Sequence, residues 1–230
     1  MKKTITLDPR LSLAASFVEG KVCADIGTDH AYIPVYLLTS GKCDYAIASD
    51  INEGPLNKAK ENAALYNVSD KVYFALTDGL RNLPLEEKSV TDIVICGMGG
   101  ELIASIIDAC PYTRNKNVRL ILQPMSSIEE LREYLDENGF NTVKESICVS
   151  AGKIYQCICT VYDGEIRNSS PAELSLGKLN IQNGAGNIHF NDLLDKLIAQ
   201  TQKKIDGKKK GSADFSADAS LLEELLKIRG

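Results

Sequence analysis

From Lys21 onward, short runs of β-branched and other apolar residues alternate with stretches in which apolar positions recur every three or four residues. The runs at 22–26, 45–50, 72–77, 92–96 and 119–123 are nearly continuous in apolar character, which predicts strands buried on both faces. The intervening stretches at 31–39, 55–66, 101–109 and 128–138 are bounded by Gly, Pro, Asn or Ser and predict helices. Five such runs with four such helices predict an α/β fold in which a parallel sheet is covered by helices on both faces.

The rhythm breaks after residue 138. Two more runs, 142–149 and 155–162, have only Ser150-Ala151-Gly152-Lys153 to turn on, too short for a crossover helix, so they must pair antiparallel. Five parallel strands followed by an antiparallel hairpin is the class I methyltransferase form of the Rossmann-like sheet, whereas a dehydrogenase sheet continues with parallel units. After Asp163 the chain reads GEIRNSSPAELSLGKLNIQNGAGN, a Gly, Ser and Asn composition that predicts a connector or mobile lobe. Phe190, Leu193, Leu194, Leu197, Ile198, Thr201 and Ile205 then form one helical stripe, and Leu221, Leu222, Leu225, Leu226 and Ile228 a second. Two helices folded back as a coiled-coil hairpin bury both. The expected organisation is a methyltransferase domain over 1–164 and a connector with a helical tail over 165–230.

Composition narrows the class. A 44% hydrophobic content and a formal charge of −5 describe a soluble globular chain and exclude disordered and fibrous ones. No apolar stretch approaches the roughly 18 residues that cross a bilayer, and MKKTITLDPRLS has neither the apolar core nor the cleavage site of a leader, so a cytoplasmic protein with no membrane contact is expected. The seven cysteines lie mostly in apolar runs such as DIVICG and YQCICTV, where thiols pack as small hydrophobes. Neither a disulfide framework nor a metal site is predicted, and a monomer is the simplest assembly.

The strongest chemical signal is Ala24-Asp25-Ile26-Gly27-Thr28-Asp29-His30-Ala31, which leaves the first strand, turns at a Gly and opens a helix. In open α/β sheets cofactors bind there. A dinucleotide fingerprint would carry three glycines for a pyrophosphate; here carboxylates flank the single Gly27, and they suit a cationic cofactor such as S-adenosylmethionine. Asp50, with Ile51 beside it, ends the second strand 23 positions after Gly27, close to the ~20-residue spacing of a ribose clamp. Asp78-Gly79 after the third strand is either an adenine-edge contact or an ordinary turn.

Cys96-Gly97-Met98-Gly99-Gly100 after the fourth strand implies either a strained structural loop or, the favoured reading, close approach of a ligand, with Gly97 and Met98 toward the cofactor and Gly99 and Gly100 toward the substrate. It lacks the Asn/Asp-Pro-Pro-aromatic pattern that serves exocyclic amines; a ring nitrogen with its own lone pair needs less help. Asp29 is the candidate catalytic residue, since a carboxylate could stabilise the charge on a methylated adenine ring and accept a proton; the alternative is a helix cap. His30 and Tyr32 could orient or stack on a base, or serve structure alone.

ADIGTDHAYIP, ASDINEGPLNKAKEN, TDGL, ICGMGGELI and RLILQP, in that order between about Leu11 and Tyr162, resemble the bacterial tRNA (adenine(22)-N1)-methyltransferase family, TrmK. The resemblance implies S-adenosylmethionine-dependent methylation of N1 of adenine 22 in tRNA. Asp25, Gly27, Asp50, Asp78 and Gly79 would then lie near the cofactor, Asp29 near the target base, and Gly97, Met98 and Gly99 along the pocket. Where the family has Asn after LQP this chain has Met125, so Gln123 or Ser126 would have to hold the base instead. The acidic net charge argues against a nucleic-acid partner unless a local patch compensates. Lys203, Lys204 and Lys208, followed by Lys209 and Lys210, supply one candidate patch, and Lys2, Lys3 and Arg10 another. A methyltransferase of small molecules or proteins, and a catalytically silent binding protein of the same fold, are the alternative readings.

Overall fold

A computed structural model describes residues 5–230; Lys2 and Lys3 lie outside them. In chain order, the described elements begin with α1 (Pro9–Phe17), β1 (Val22–Ile26), α2 (Tyr32–Thr39), β2 (Tyr45–Asp50), α3 (Glu53–Leu65) and β3 (Val72–Leu76). They continue with β4 (Asp92–Gly99), α4 (Gly100–Asp108), β5 (Arg119–Ser126), α5 (Ile128–Glu137), β6 (Phe140–Ser150) and β7 (Lys153–Tyr162). The carboxyl-terminal part is helical: α6 (Pro171–Leu176), α7 (Lys178–Asn183), α8 (Phe190–Lys210) and α9 (Ser216–Arg229). The sheet order is β3-β2-β1-β4-β5-β7-β6, with only β7 antiparallel to β5 and to β6.

Strand alternation sorts the core into two layers. Cys23, Ala46, Ala48, Val94, Ile121, Cys157 and Cys159 face α1, α2 and α3, while Ala24, Ile26, Ile47, Ile93, Ile95, Leu120 and Leu122 face α4 and α5. The cysteines are free. The same parity carries Asp25, Asp50, Cys96 and Gln123 to the α1 side of the carboxyl edge of the sheet, and this sets the candidate site.

Three features depart from the sequence expectations. α1 was not predicted, although its start is legible: Asp8 caps it through Oδ1 on the Leu11 N–H (2.8 Å), Pro9 occupies the first turn, and Ala14, Ala15 and Phe17 are buried. β4 continues through a register irregularity to Gly99, and β5 to Ser126, so the Gly97-Met98-Gly99 segment is irregular strand rather than loop. The expected loop after Asp163 contains α6 and α7. α6 opens with a reciprocal capping box between Ser170 and Glu173. The tail helices pack together as expected, and their apolar cluster includes Ile147 of β6 with Ala172, Leu176, Leu193, Leu194 and Leu225. Among the described residues no helix is long and apolar enough to cross a membrane.

Candidate active site

The chain leaves β1 through Gly27 in the left-handed region (φ +70°), where L side chains are strained, and Met98 packs its terminal methyl over the space a Cβ would fill. Thr28 then turns back: its N–H donates to the Ser49 carbonyl (2.8 Å) and its hydroxyl donates to Asp25 Oδ2 (2.6 Å). Burial drives the Asp25 carboxyl up to about 7, opposed by the Thr28 hydroxyl and reinforced by the charge of Asp50. Cys96 lies behind it, its thiol held neutral by burial and by Asp25.

Asp29 takes a positive φ of +27°, and Ala31 another of +52°. The Asp29 side chain is 69% exposed, with Oδ1 3.5 Å from His30 Nε2. No side chain caps α2, so the cap reading of Asp29 fails. His30 stacks on Tyr32 with ring centroids 5.2 Å apart, and Asn62 pins the turn by donating to the His30 carbonyl (2.8 Å). A non-glycine residue held at positive φ with a solvent-facing carboxylate is the kind of strain that marks functional turns.

Asp25, Gly27, Thr28, Asp29, Tyr32, Cys96, Gly97 and Met125 line one cavity of about 460 Å³. Its outer wall is the segment before α1 and its first turn, including Asp8, Arg10 and Leu11. Sequence reasoning missed this wall. By sequence Arg10 reads as part of a cationic patch for RNA phosphate, whereas Arg10 Nη1 donates to Gln123 Oε1 (2.7 Å) and the guanidinium stands over the Tyr155 ring. Gln123 is likewise corrected. It is buried, with Oε1 taken by Arg10 and Nε2 donating to the Pro124 carbonyl (2.8 Å), so it positions Arg10 and has no free group for a base.

The other sequence candidates fall outside that cavity. Asp50 ends β2 beside it, with Oδ1 accepting the Asn52 N–H (2.8 Å) and Oδ2 bonded to none of the described residues. Ile51 next to it is exposed. Asp78 pairs with Arg81 (3.3 Å) at the mouth of a separate cavity of about 220 Å³, and Gly79 backs onto Ile106. Gly99 pairs with Ser126 in the sheet. Gly100 is buried, and a Cβ there would collide with the Ser127 carbonyl; it packs α4 against the start of α5, so its expected substrate role is withdrawn. In the tail Lys203 and Lys204 are exposed, but Lys208 is tied to Asp218 (2.5 Å) and Lys209 stands over Phe215.

Known proteins share this fold. The chain is 35% identical to the Bacillus subtilis (strain 168) tRNA (adenine(22)-N(1))-methyltransferase over 155 residues, 67% of this chain and 64% of that enzyme's length. The crystal structure of the B. subtilis m1A22 tRNA methyltransferase TrmK superposes with a TM-score of 0.79 at 29% identity, over 97% of this chain and 95% of that one. A Streptococcus pneumoniae structure in complex with S-adenosyl-L-methionine superposes with a TM-score of 0.83 at 29% identity, over 98% and 100%. Residues 7–158, from the amino-terminal wall of the cavity into β7, match the methyltransferase domain family. That match covers well over half of the chain and includes the strand ends that shape the cavity, and the chain belongs to the methyltransferase domain family.

Proposed function

We propose that this protein transfers the methyl group of S-adenosylmethionine to N1 of an adenine in tRNA, position 22 by likeness to the B. subtilis enzyme. One observation carries the reading: a single cavity at the mouth of β1 holds both the buried Asp25 and the strained, exposed Asp29. The first suits a cationic donor and the second faces whatever accepts the methyl.

The cavity fits the donor's charges. S-adenosylmethionine brings a sulfonium-activated methyl, an ammonium and a carboxylate. Asp25 and the Gly27–Thr28 turn suit the cationic part, and Arg10, fixed by Gln123, offers a guanidinium to the carboxylate. Asp50 Oδ2 is available for a ribose diol, and Gly97 and Met98 for the side near the methyl; Asp78, beside Gly79 outside the cavity, would reach the adenine edge by exchanging its pair with Arg81 for the ligand. On the substrate side Asp29 takes up positive charge developing on the methylated ring, and the His30–Tyr32 stack offers an aromatic surface to the base. We assign catalysis to 1–164 and substrate presentation, with exposed Lys203 and Lys204, to 165–230.

The reading is tested by incubating the protein with labelled S-adenosylmethionine and unmodified bacterial tRNA. Incorporation is expected at N1 of A22 and not in the same tRNA carrying A22→G. Label appearing only in protein or small molecules would sink it.

Donor binding should depend on pH through Asp25. Its folded-state pKa of about 7 lies above the usual value of 3.8, so the folded protein holds an extra proton between them. The resulting stability is fully present below the unfolded value and is lost as pH rises through about 7. A cationic ligand needs the ionised form, so its binding releases that proton. The affinity is expected to rise about tenfold between about pH 6 and about pH 8. Calorimetry across this range checks it. Asp25→Asn, in which only the ligand's own amine titrates, should lose the rise; an equal rise in both proteins assigns it elsewhere.

A further inference from the structure

A second cleft of about 450 Å³ runs beside the active cavity, between the carboxyl end of β5, the β6–β7 turn and α8. The two share Met125, and Tyr155 in the cleft wall lies beneath Arg10 of the active cavity, so they adjoin. The cleft lining mixes apolar Ile154, Leu193 and Leu197 with polar Ser127, Gln156 and Ser175. Lys153 on the turn and Lys196 on α8 stand on its two sides, both exposed and neither ion-paired to a described residue; Glu129 is its one acid. Gln200, Lys203 and Lys204 follow Lys196 at spacings of four, seven and eight, which keeps them on one face of α8 leading away from the cleft. At the far end of α8, Lys208 is engaged by α9 and Lys209 by Phe215 before it.

We propose that this cleft seats the phosphodiester backbone adjoining the target adenine. The inference rests on the tRNA reading above and adds to it the route by which the RNA leaves the site. A base drawn into the active cavity carries its own sugar-phosphate chain with it, and that chain must exit through an opening that neutralises phosphate without demanding sequence. The opening past Met125 has that character: cations on both sides, an aromatic ring at the junction and a basic helical face beyond. A small substrate would need none of these.

The test is tRNA binding by fluorescence polarisation over a salt series, for the wild-type protein, the double variant K153Q/K196Q, and K116Q at the opposite edge of the sheet. Losing two phosphate contacts should flatten the slope of log affinity against log salt by roughly 1.5 to 2 in the double variant, and leave K116Q unchanged. S-adenosylmethionine affinity should be the same in all three, since neither lysine lines the active cavity. An unchanged slope in the double variant with an active wild type overturns the cleft assignment alone. A wild type that methylates no tRNA overturns the functional reading and this inference with it.

Discussion

Asp29→Ala is expected to lower the methylation rate at saturating substrates by at least about 100-fold, the lower end of what a positioned acid-base group contributes, while S-adenosylmethionine affinity stays within about threefold. The separation follows from the geometry, because Asp25 and not Asp29 carries the buried charge of the cavity, while the Asp29 carboxylate points outward beside Tyr32. Asp29→Gly sharpens the test. Glycine accepts φ +27° at no steric cost, so this variant should be more stable than the wild type by about 1 kcal/mol and equally inactive. Stability gained with activity lost shows that the strain is kept for the carboxylate. Asp29→Asn preserves the turn and a hydrogen-bond acceptor but not the charge, and should resemble Ala in rate. If Asp29→Ala retains full turnover, the carboxylate has no part in the chemistry and the strain at this turn needs another explanation.

The sheet was readable almost residue by residue. β1 and β2 begin and end where the apolar runs do, because a central parallel strand is buried on both faces and tolerates little else. The hairpin, and with it the methyltransferase order, followed from the shortness of one turn. What escaped was whatever depends on partners distant in sequence. Arg10 looks like a surface cation until Gln123, 113 positions away, is seen to hold it. Gly99 and Gly100 look like a ligand floor in a Gly-rich string, but one continues a strand and the other admits the Ser127 carbonyl. Lys208 belonged to the basic run by sequence and to Asp218 by structure. The connector misled for a related reason. Its composition is that of a loop, and what orders it is a side chain on α5.

That side chain is Arg132, and Arg132→Met should destabilise the fold by about 3–5 kcal/mol, read as a shift in the denaturant midpoint. All five guanidinium N–H groups have partners: Nε and Nη2 donate to Glu145 Oε1 (3.1 and 2.9 Å), Nη2 also to Gln156 Oε1 (2.9 Å), and Nη1 to the Leu174 and Ser175 carbonyls (2.7 and 3.3 Å). Glu145 Oε2 meanwhile accepts the N–H groups of Leu179 and Asn180 at the start of α7 (3.0 and 3.3 Å). The pair is buried, so its attraction mainly offsets the cost of desolvating both ions. Removing one ion exposes that cost, because the carboxylate stays behind in a dry site. Arg132→Met with Glu145→Leu should therefore recover part of the loss, a coupling that a double-mutant cycle isolates. Gly177 reports on the same clamp. It sits at φ +91° between α6 and α7, where a Cβ would run into both the Glu145 carboxylate and the Arg132 guanidinium, so Gly177→Ala should weaken the connector by displacing the pair with both ions still present. Ser175 and Gln156 of this network also line the cleft beside α8, which ties the seating of the tail to the clamp. In the folded fraction of Arg132→Met, tRNA affinity should accordingly fall while S-adenosylmethionine affinity holds; a destabilisation below about 1 kcal/mol would mean that the apolar cluster around Leu194 and Leu225 secures the tail unaided.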